Sequence, residues 1–233
     1  MSYRLETMQL QDWASRFVEY KKRHGIWSAL GRASLSVKRM LTGNRMVLFY
    51  YDLNSWKTCA QSADRPLTIE RNTARQTVAA RDLMQIVNFW NPGIMQRLIS
   101  DRFARGATLW LAKSGNDLAG YGWTLNGCTI EPYFFSLETD DVHLFDFFVL
   151  PEFRGQRVNR TLVLKILEAL AAEGKSRVYL EVAEWNMPQL NSLSRMPFQK
   201  LGRARKFRLF GKILTTWSEG GPPRQRTAAK ATA

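Results

Sequence analysis

Thiols and imidazoles are scarce in this chain. Its 233 residues include two cysteines, Cys59 and Cys128, and two histidines, His24 and His143. Thiols so few and so far apart exclude a disulfide framework and point to a reducing interior. With so few thiol and imidazole ligands, no transition-metal site is expected. Long apolar runs are also missing. None reaches the roughly 18 residues of a membrane-spanning helix. Residues 1–13 carry acids and no apolar stretch, so no secretory leader is expected. Acids themselves are in short supply, 20 against 34 Lys and Arg, for a formal charge of +14.

That charge is unevenly placed. Residues 16–45 hold eight Lys and Arg against Glu19 alone, a net +7. Residues 200–212 hold six basic residues and no acid, and residues 220–233 add Arg224, Arg226 and Lys230. The remainder of the chain is close to neutral, so the basicity lies on the flanks, where it suits anionic partners. Phe207, Phe210 and Trp217 interleave with the second basic run, but at strand spacing they are expected to pack inward, and nucleic acid is not an expected partner.

Hydrophobic periodicity organises the rest. Leu10, Trp13, Ala14, Phe17 and Val18 predict a helix over 9–23, ended at Gly25. Ile26, Leu30, Ala33, Val37 and Met40 form the stripe of a second, basic helix over 26–41. That stripe either packs on the protein or rests on an anionic membrane surface. The expected location is cytoplasmic, with this helix as the contact to the inner face of a membrane. A strand follows at 45–53, then an irregular polar stretch over 54–76. Two helices, broken at Asn91-Pro92-Gly93, cover 77–106. The stretch 107–127 reads as a hairpin around Ser114–Asp117. A strand apolar on both faces, ending at Leu150, is expected to be central. A helix over 158–173, a strand over 176–182, a short helix from Met187 and two closing strands over 198–217 complete the order. The strand–helix–strand unit over 142–182 requires parallel pairing through a right-handed crossover, whereas the hairpin requires antiparallel pairing. The fold class is therefore α/β, a mixed, mostly antiparallel sheet with helices on both faces. Residues 1–44 form a basic helical extension, 45–217 the main domain, and 218–233 a disordered basic tail.

One stretch carries chemistry. In "FVLPEFRGQRVNRTLVLKIL" a strand runs through Pro151 and Arg154-Gly155 into an apolar helix. Backbone amides at such a turn, with the positive end of the helix dipole, suit a phosphate. Val149, Pro151, Arg154 and Gly155, followed by Asn186 and Phe198 twelve residues apart, make the chain similar to the GNAT superfamily of acyl-CoA-dependent N-acetyltransferases. The family has Gly at position 157 and Gly or Ala at 159; here they are Arg157 and Asn159. A Gly preceding the Phe is replaced by Pro197, and a frequent Tyr by Leu193. Asn tolerates positive φ, so Asn159 is expected to stand in for glycine.

The resemblance implies fourth and fifth strands that splay apart around the pantetheine arm of acetyl-CoA. It implies backbone bonds from Phe148, Val149 and Leu150, a pyrophosphate loop formed by Arg154, Gly155, Gln156, Arg157, Val158 and Asn159, and a side-chain contact from Asn186. Asn186 equally suits a helix N-cap before Pro188. The base that deprotonates the acceptor amine is then Asp146 or Glu181, one on each splayed strand. His143 is expected to face away from Asp146 on a regular strand. With Leu193 in place of Tyr, the proton for the leaving thiolate falls to Ser192, Ser194, Tyr179 or water. The implied activity is direct acyl transfer to an amine on a small molecule or peptide. The alternatives are a non-catalytic acyl-CoA or anion-binding domain of the same fold, or a related aminoacyl transferase.

Overall fold

The computed structural model describes residues 44–56, 67–130, 132–209 and 212–223. The helices expected over 9–23 and 26–41, and residues 224–233 of the tail, lie outside them. By internal packing the chain divides into two units: Met1–Arg45 with Arg205–Thr216, and Met46–Ala204 with Trp217–Ala233. In the first, the described residues are the start of one strand and the stretches 205–209 and 212–216 of two others. The second unit holds the rest of those three strands and the other elements described below.

Eight strands form one sheet: β1 (Asn44–Asp52), β2 (Thr68–Asn72), β3 (Thr108–Ser114), β4 (Asp117–Asn126), β5 (Asp141–Val149), β6 (Arg177–Ala183), β7 (Gln199–Leu209) and β8 (Lys212–Gly220). Four helices accompany them: α1 (Ala80–Phe89), α2 (Pro92–Ala104), α3 (Val158–Ala172) and α4 (Met187–Leu193). The strand order is β2-β3-β4-β5-β6-β1-β7-β8. β5 and β6 pair in parallel, while β2 through β5 and β6 with β1 pair antiparallel. The expected mixed, mostly antiparallel sheet, with β5 inside it, is therefore the observed one.

Two differences separate the structure from the sequence reading. Thr68–Asn72, expected to be irregular, is the edge strand β2, paired to β3. It is short and polar, and an edge strand needs no apolar alternation because only one of its sides is laddered. β8 runs on through Ser218 to Gly220, three residues assigned to the tail. Glu219 explains the extension, since it forms ion pairs with Lys200 and Arg203 of β7.

Period-2 alternation distributes the core over the two faces. Trp110, Ala112, Val142, Leu144, Val178, Leu180 and Val182 point to one face, where Leu162, Val163, Ile166, Leu167 and Leu170 of α3 cover them. Leu109, Leu111, Leu118, Tyr121, Trp123 and Leu125 point to the other, against Ile86 and Val87 of α1 and Met95 and Ile99 of α2. Burial on both faces is why β3 and β4 read as nearly continuous apolar runs. Further along the second face, Tyr133, Phe134 and Phe135 lie over Met46, Leu48, Leu201 and Trp217.

α1 is anchored by charge as well as by packing. Asp82, its side chain 3% exposed, lies 2.7 Å from Lys113 Nζ on β3, which also meets Glu70 of β2 at 2.8 Å. Removing one partner would leave a buried carboxylate uncompensated. Lys113→Met should destabilise the fold by about 3 kcal/mol, read as a Tm drop of roughly 6–12 °C. Asp82→Leu combined with Lys113→Met should recover part of that loss; equal Tm values for wild type and Lys113→Met would show that the pair contributes nothing.

Candidate active site

The ladder between β5 and β6 is short. Its registered pairs are Asp141↔Arg177, Val142↔Val178 and His143↔Tyr179, and none follows. Beyond His143 the strands diverge while β5 stays paired to β4 and β6 to β1. What opens the gap is an irregularity in β5. Trp123 opposes Phe145 and Tyr121 opposes Phe148, so Gly122 faces two residues, Asp146 and Phe147. Asp146 takes φ +51°, the left-handed conformation that favours glycine but that Asp tolerates better than most. Gly122 is required opposite it, because a Cβ there would lie 2.4 Å from the Phe147 ring.

The bulge changes which way side chains face. A regular strand would put Asp146 and His143 on opposite faces. Here Arg102 of α2 bonds Asp146 at 2.5 Å while its guanidinium lies over the Phe145 and Trp123 rings. The His143 ring stacks on Phe145 with 5.2 Å between centroids. Asp146 thus turns to the face carrying His143 and Phe145, which corrects the sequence expectation.

Glu181 points to the same face from β6. Its Oε2 lies 2.9 Å from His143 Nε2, and its side chain is 20% exposed against 6% for the imidazole. Extending the β5–β6 register places Glu181 level with Phe145, one residue before the bulge. Tyr133 packs on His143 at 4.9 Å, and its phenol neighbours the Glu181 carboxylate. Burial first, and that carboxylate second, push the Tyr133 phenol well above its ordinary value. Tyr121 behaves likewise, raised by burial and by Asp146. Both remain protonated donors at neutral pH. The two candidate bases are therefore brought to one face, but differently held: Asp146 by a guanidinium, Glu181 by an imidazole.

At the end of β5 the chain turns through a 3-10 turn, Pro151–Phe153, into α3. Gly155 has φ +77° and Arg157, the N-cap of α3, φ +59°. Arg157 itself thus occupies the left-handed position. Asn159, expected to substitute for glycine, is instead the second helical residue of α3, and its amide nitrogen lies 3.5 Å from Ser192 Oγ. The first helical bond is from Thr161 N–H to the Arg157 carbonyl, so the amides of Val158, Asn159 and Arg160 have no helical acceptor. Arg154 Nε reaches back to the Val149 carbonyl at 3.4 Å, and Gln156 Nε2 to the Glu152 carbonyl at 3.0 Å. Leu150 N–H bonds the Ala119 carbonyl of β4, fixing the exit of β5. Phe148 lies on the α1 face and Val149 on the α3 face.

Asn186 serves as the N-cap of α4, its Oδ1 accepting from Gln189 N–H at 3.4 Å. Leu193 is 1% exposed and belongs to the core. Ser194 Oγ donates to the Asn191 carbonyl, and the Tyr179 hydroxyl lies 3.4 Å from Arg177. Among the described residues no His, Cys, Asp and Glu cluster could hold a metal ion, and no helix is long and apolar enough to cross a membrane.

The comparisons with known proteins follow this geometry. Residues 75–196, just over half of the chain, match the acetyltransferase (GNAT) family. The chain belongs to that family. It is 30% identical over 81 residues to the thialysine N-epsilon-acetyltransferase of Bos taurus, in an alignment covering 34% of this chain and 48% of that protein. It thus spans about half the length of that curated relative. Among solved structures, a GCN5-related glucosamine N-acetyltransferase region of a fungal multi-domain GH3 beta-N-acetylglucosaminidase superposes with TM-score 0.51 at 13% identity, over 76% of this chain and 22% of that one. A Bacillus subtilis acetyltransferase in complex with CoA gives TM-score 0.43 at 16% identity, over 61% and 79%. The first of these likenesses carries the fold and nothing more.

In this GNAT chain, sequence reasoning singled out the loop and both carboxylates as candidates. It missed Tyr121, Tyr133 and the engagement of His143, which come together only across the sheet. The phenols give a stability signature. Each folded pKa lies above the unfolded value of 10.0, so the stabilisation is complete below pH about 10 and declines as pH rises past it. Tm should fall above pH 10, and Tyr133→Phe with Tyr121→Phe should flatten that fall; an unchanged slope in the double variant would overturn the assignment.

Proposed function

We propose that this chain transfers an acyl group from acyl-CoA, with acetyl-CoA as the expected donor, directly to a primary amine. The observation that carries the reading is the divergence of β5 from β6 directly above the N-terminus of α3. A pantetheine arm between the strands would meet the backbone of Val149 beside Phe148, extending the ladder that β6 abandons, whereas Leu150 is already committed, its N–H to the Ala119 carbonyl and its carbonyl to the Phe153 N–H. Its pyrophosphate would meet the amides of Val158 and Asn159 and the charge of Arg154 and Arg157. Gly155 keeps the turn tight, Gln156 ties it to Glu152, and Asn186 shapes the β6 side as an N-cap.

The reaction needs a neutral amine, a polarised thioester carbonyl and a proton for the departing thiolate. Of the two carboxylates, Glu181 suits the base better. Asp146 is engaged by the Arg102 guanidinium, whereas Glu181 lies one residue before the level of the bulge, against the His143 imidazole and the Tyr133 phenol. The amine nitrogen gives its proton to Glu181 and attacks the thioester carbon. The N–H of Val149 stabilises the oxyanion, and collapse expels the thiolate. Leu193 offers no hydroxyl, so the second proton of the attacking nitrogen passes through water to the departing thiolate. That absence also favours the second reading, a domain that binds acyl-CoA without turning it over.

Two measurements test this. Saturating acetyl-CoA should raise Tm by several degrees, as a ligand present at about 100 times its Kd contributes about 2.7 kcal/mol. Asn159→Glu should abolish the shift without loss of apo stability, since a carboxylate in the first turn favours the helix but repels phosphate. No shift at millimolar acetyl-CoA would overturn both CoA readings.

In a thiol-release assay over a panel of amines, Glu181→Gln should lower kcat/KM by about 10²–10⁴-fold with acetyl-CoA binding retained. Full activity in Glu181→Gln with loss in Asp146→Asn would move the base to Asp146. Binding without turnover of any amine would leave the non-catalytic reading.

A further inference from the structure

Two exposed aromatic rings lie together against β5 beside the bulge. Phe89, the last residue of α1, and Trp90, in the break before α2, are each 43% exposed. Both pack on Phe148 of β5, at 4.6 and 5.1 Å between centroids, and on each other at 5.2 Å. Tyr121 of β4 completes the group at 5.7 Å from Phe148. The indole N–H of Trp90 donates to the Tyr121 hydroxyl at 2.9 Å. That bond fixes the Trp90 ring while leaving nearly half of its surface in water. Holding two large rings half-exposed is unfavourable for the free protein and marks a contact surface.

We propose that Phe89, Trp90, Phe148 and Tyr121 form an aromatic wall selecting an acceptor whose amine is carried on an aromatic ring system, an arylalkyl primary amine. This deepens the transferase reading and rests on it. Location is the first argument. Phe148 is two residues from Asp146, so the wall borders the stretch of β5 where transfer takes place. Charge is the second, and it discriminates between kinds of acceptor. A polyamine or other multiply charged aliphatic amine would also find aromatic faces attractive. Here the cation position over Phe148 is taken by the Arg154 guanidinium at 5.8 Å. Asp146, two residues from Phe148, is bound by Arg102. A second ammonium beside the wall would therefore meet a carboxylate already committed, whereas a neutral ring stacks without a charge penalty.

The experiment uses the full chain with acetyl-CoA and compares 2-phenylethylamine and tryptamine with n-butylamine, spermidine and glucosamine. The aryl amines should exceed n-butylamine in kcat/KM by about tenfold or more, mainly through KM, the scale of one added aromatic contact. Trp90→Ala and Phe89→Ser should each cost the aryl amines about tenfold more than they cost n-butylamine. Equal losses for both kinds of amine, or preference for spermidine or glucosamine in the wild type, would overturn the proposal. A change in preference between acetyl-CoA and octanoyl-CoA in Trp90→Ala, without a change among amines, would assign the wall to the acyl tail and overturn it too. If no amine releases thiol, the transferase reading fails separately. Saturable quenching of tryptophan fluorescence by 2-phenylethylamine, lost in both variants, then still supports the wall, and no binding overturns it. Circular dichroism of the two variants confirms that each is folded before the comparison is made.

Discussion

A parallel pair of strands that stops pairing after three residues must satisfy its backbone groups in some other way. β5 and β6 are held apart beyond His143 and Tyr179 by the extra residue at Asp146, and the site is built on that enforced separation. Each strand keeps its outer neighbour, β4 on one side and β1 on the other, so the gap is braced from both flanks and cannot close by simple sliding. The exposed inner edges are what a pantetheine arm would use. Everything placed around them — carboxylate, phenols and the helix N-terminus — takes its position from the same divergence.

The bulge also settles how the two carboxylates differ. Because Asp146 is turned toward α2, it meets Arg102, which is itself sandwiched by Trp123 and Phe145. Glu181, on a regular strand, meets the imidazole of His143 under Tyr133. Two carboxylates one residue apart in level are thereby given different neighbours: one a guanidinium, the other an imidazole.

Much of this was legible in the chain. The alternation along β5 and β6 and the crossover helix between them marked the architecture, and Arg154-Gly155 marked the turn proposed to meet a phosphate. The reasons the rest was hidden are specific. No glycine marks the bulge, because Asp146 bears the strained φ itself; the sequence clue is displaced to Gly122 on the opposing strand, which clears room for Phe147. The left-handed residue of the loop is Arg157, the side chain least suited to it by appearance, while Asn159 sits within the helix. β2 is short, polar and laddered on one side, so its composition resembles a loop. Tyr121, Tyr133 and the adjacent pair Phe89 and Trp90 come from three separate segments, and contacts across such distances in sequence leave no local pattern.

The end of the sheet at β2 has a bearing on the behaviour of the protein at high concentration. A bare strand edge is a template on which a second chain can extend the sheet, and from there aggregate. β2 offers five residues, and two of them are committed: Glu70 to Lys113, and Arg71 to Glu173 at the end of α3. An incoming strand would have to displace charged side chains already anchored to the body of the protein and would gain few ladder bonds in return. The brevity that made this segment look like a loop is thus a guard against unwanted polymerisation.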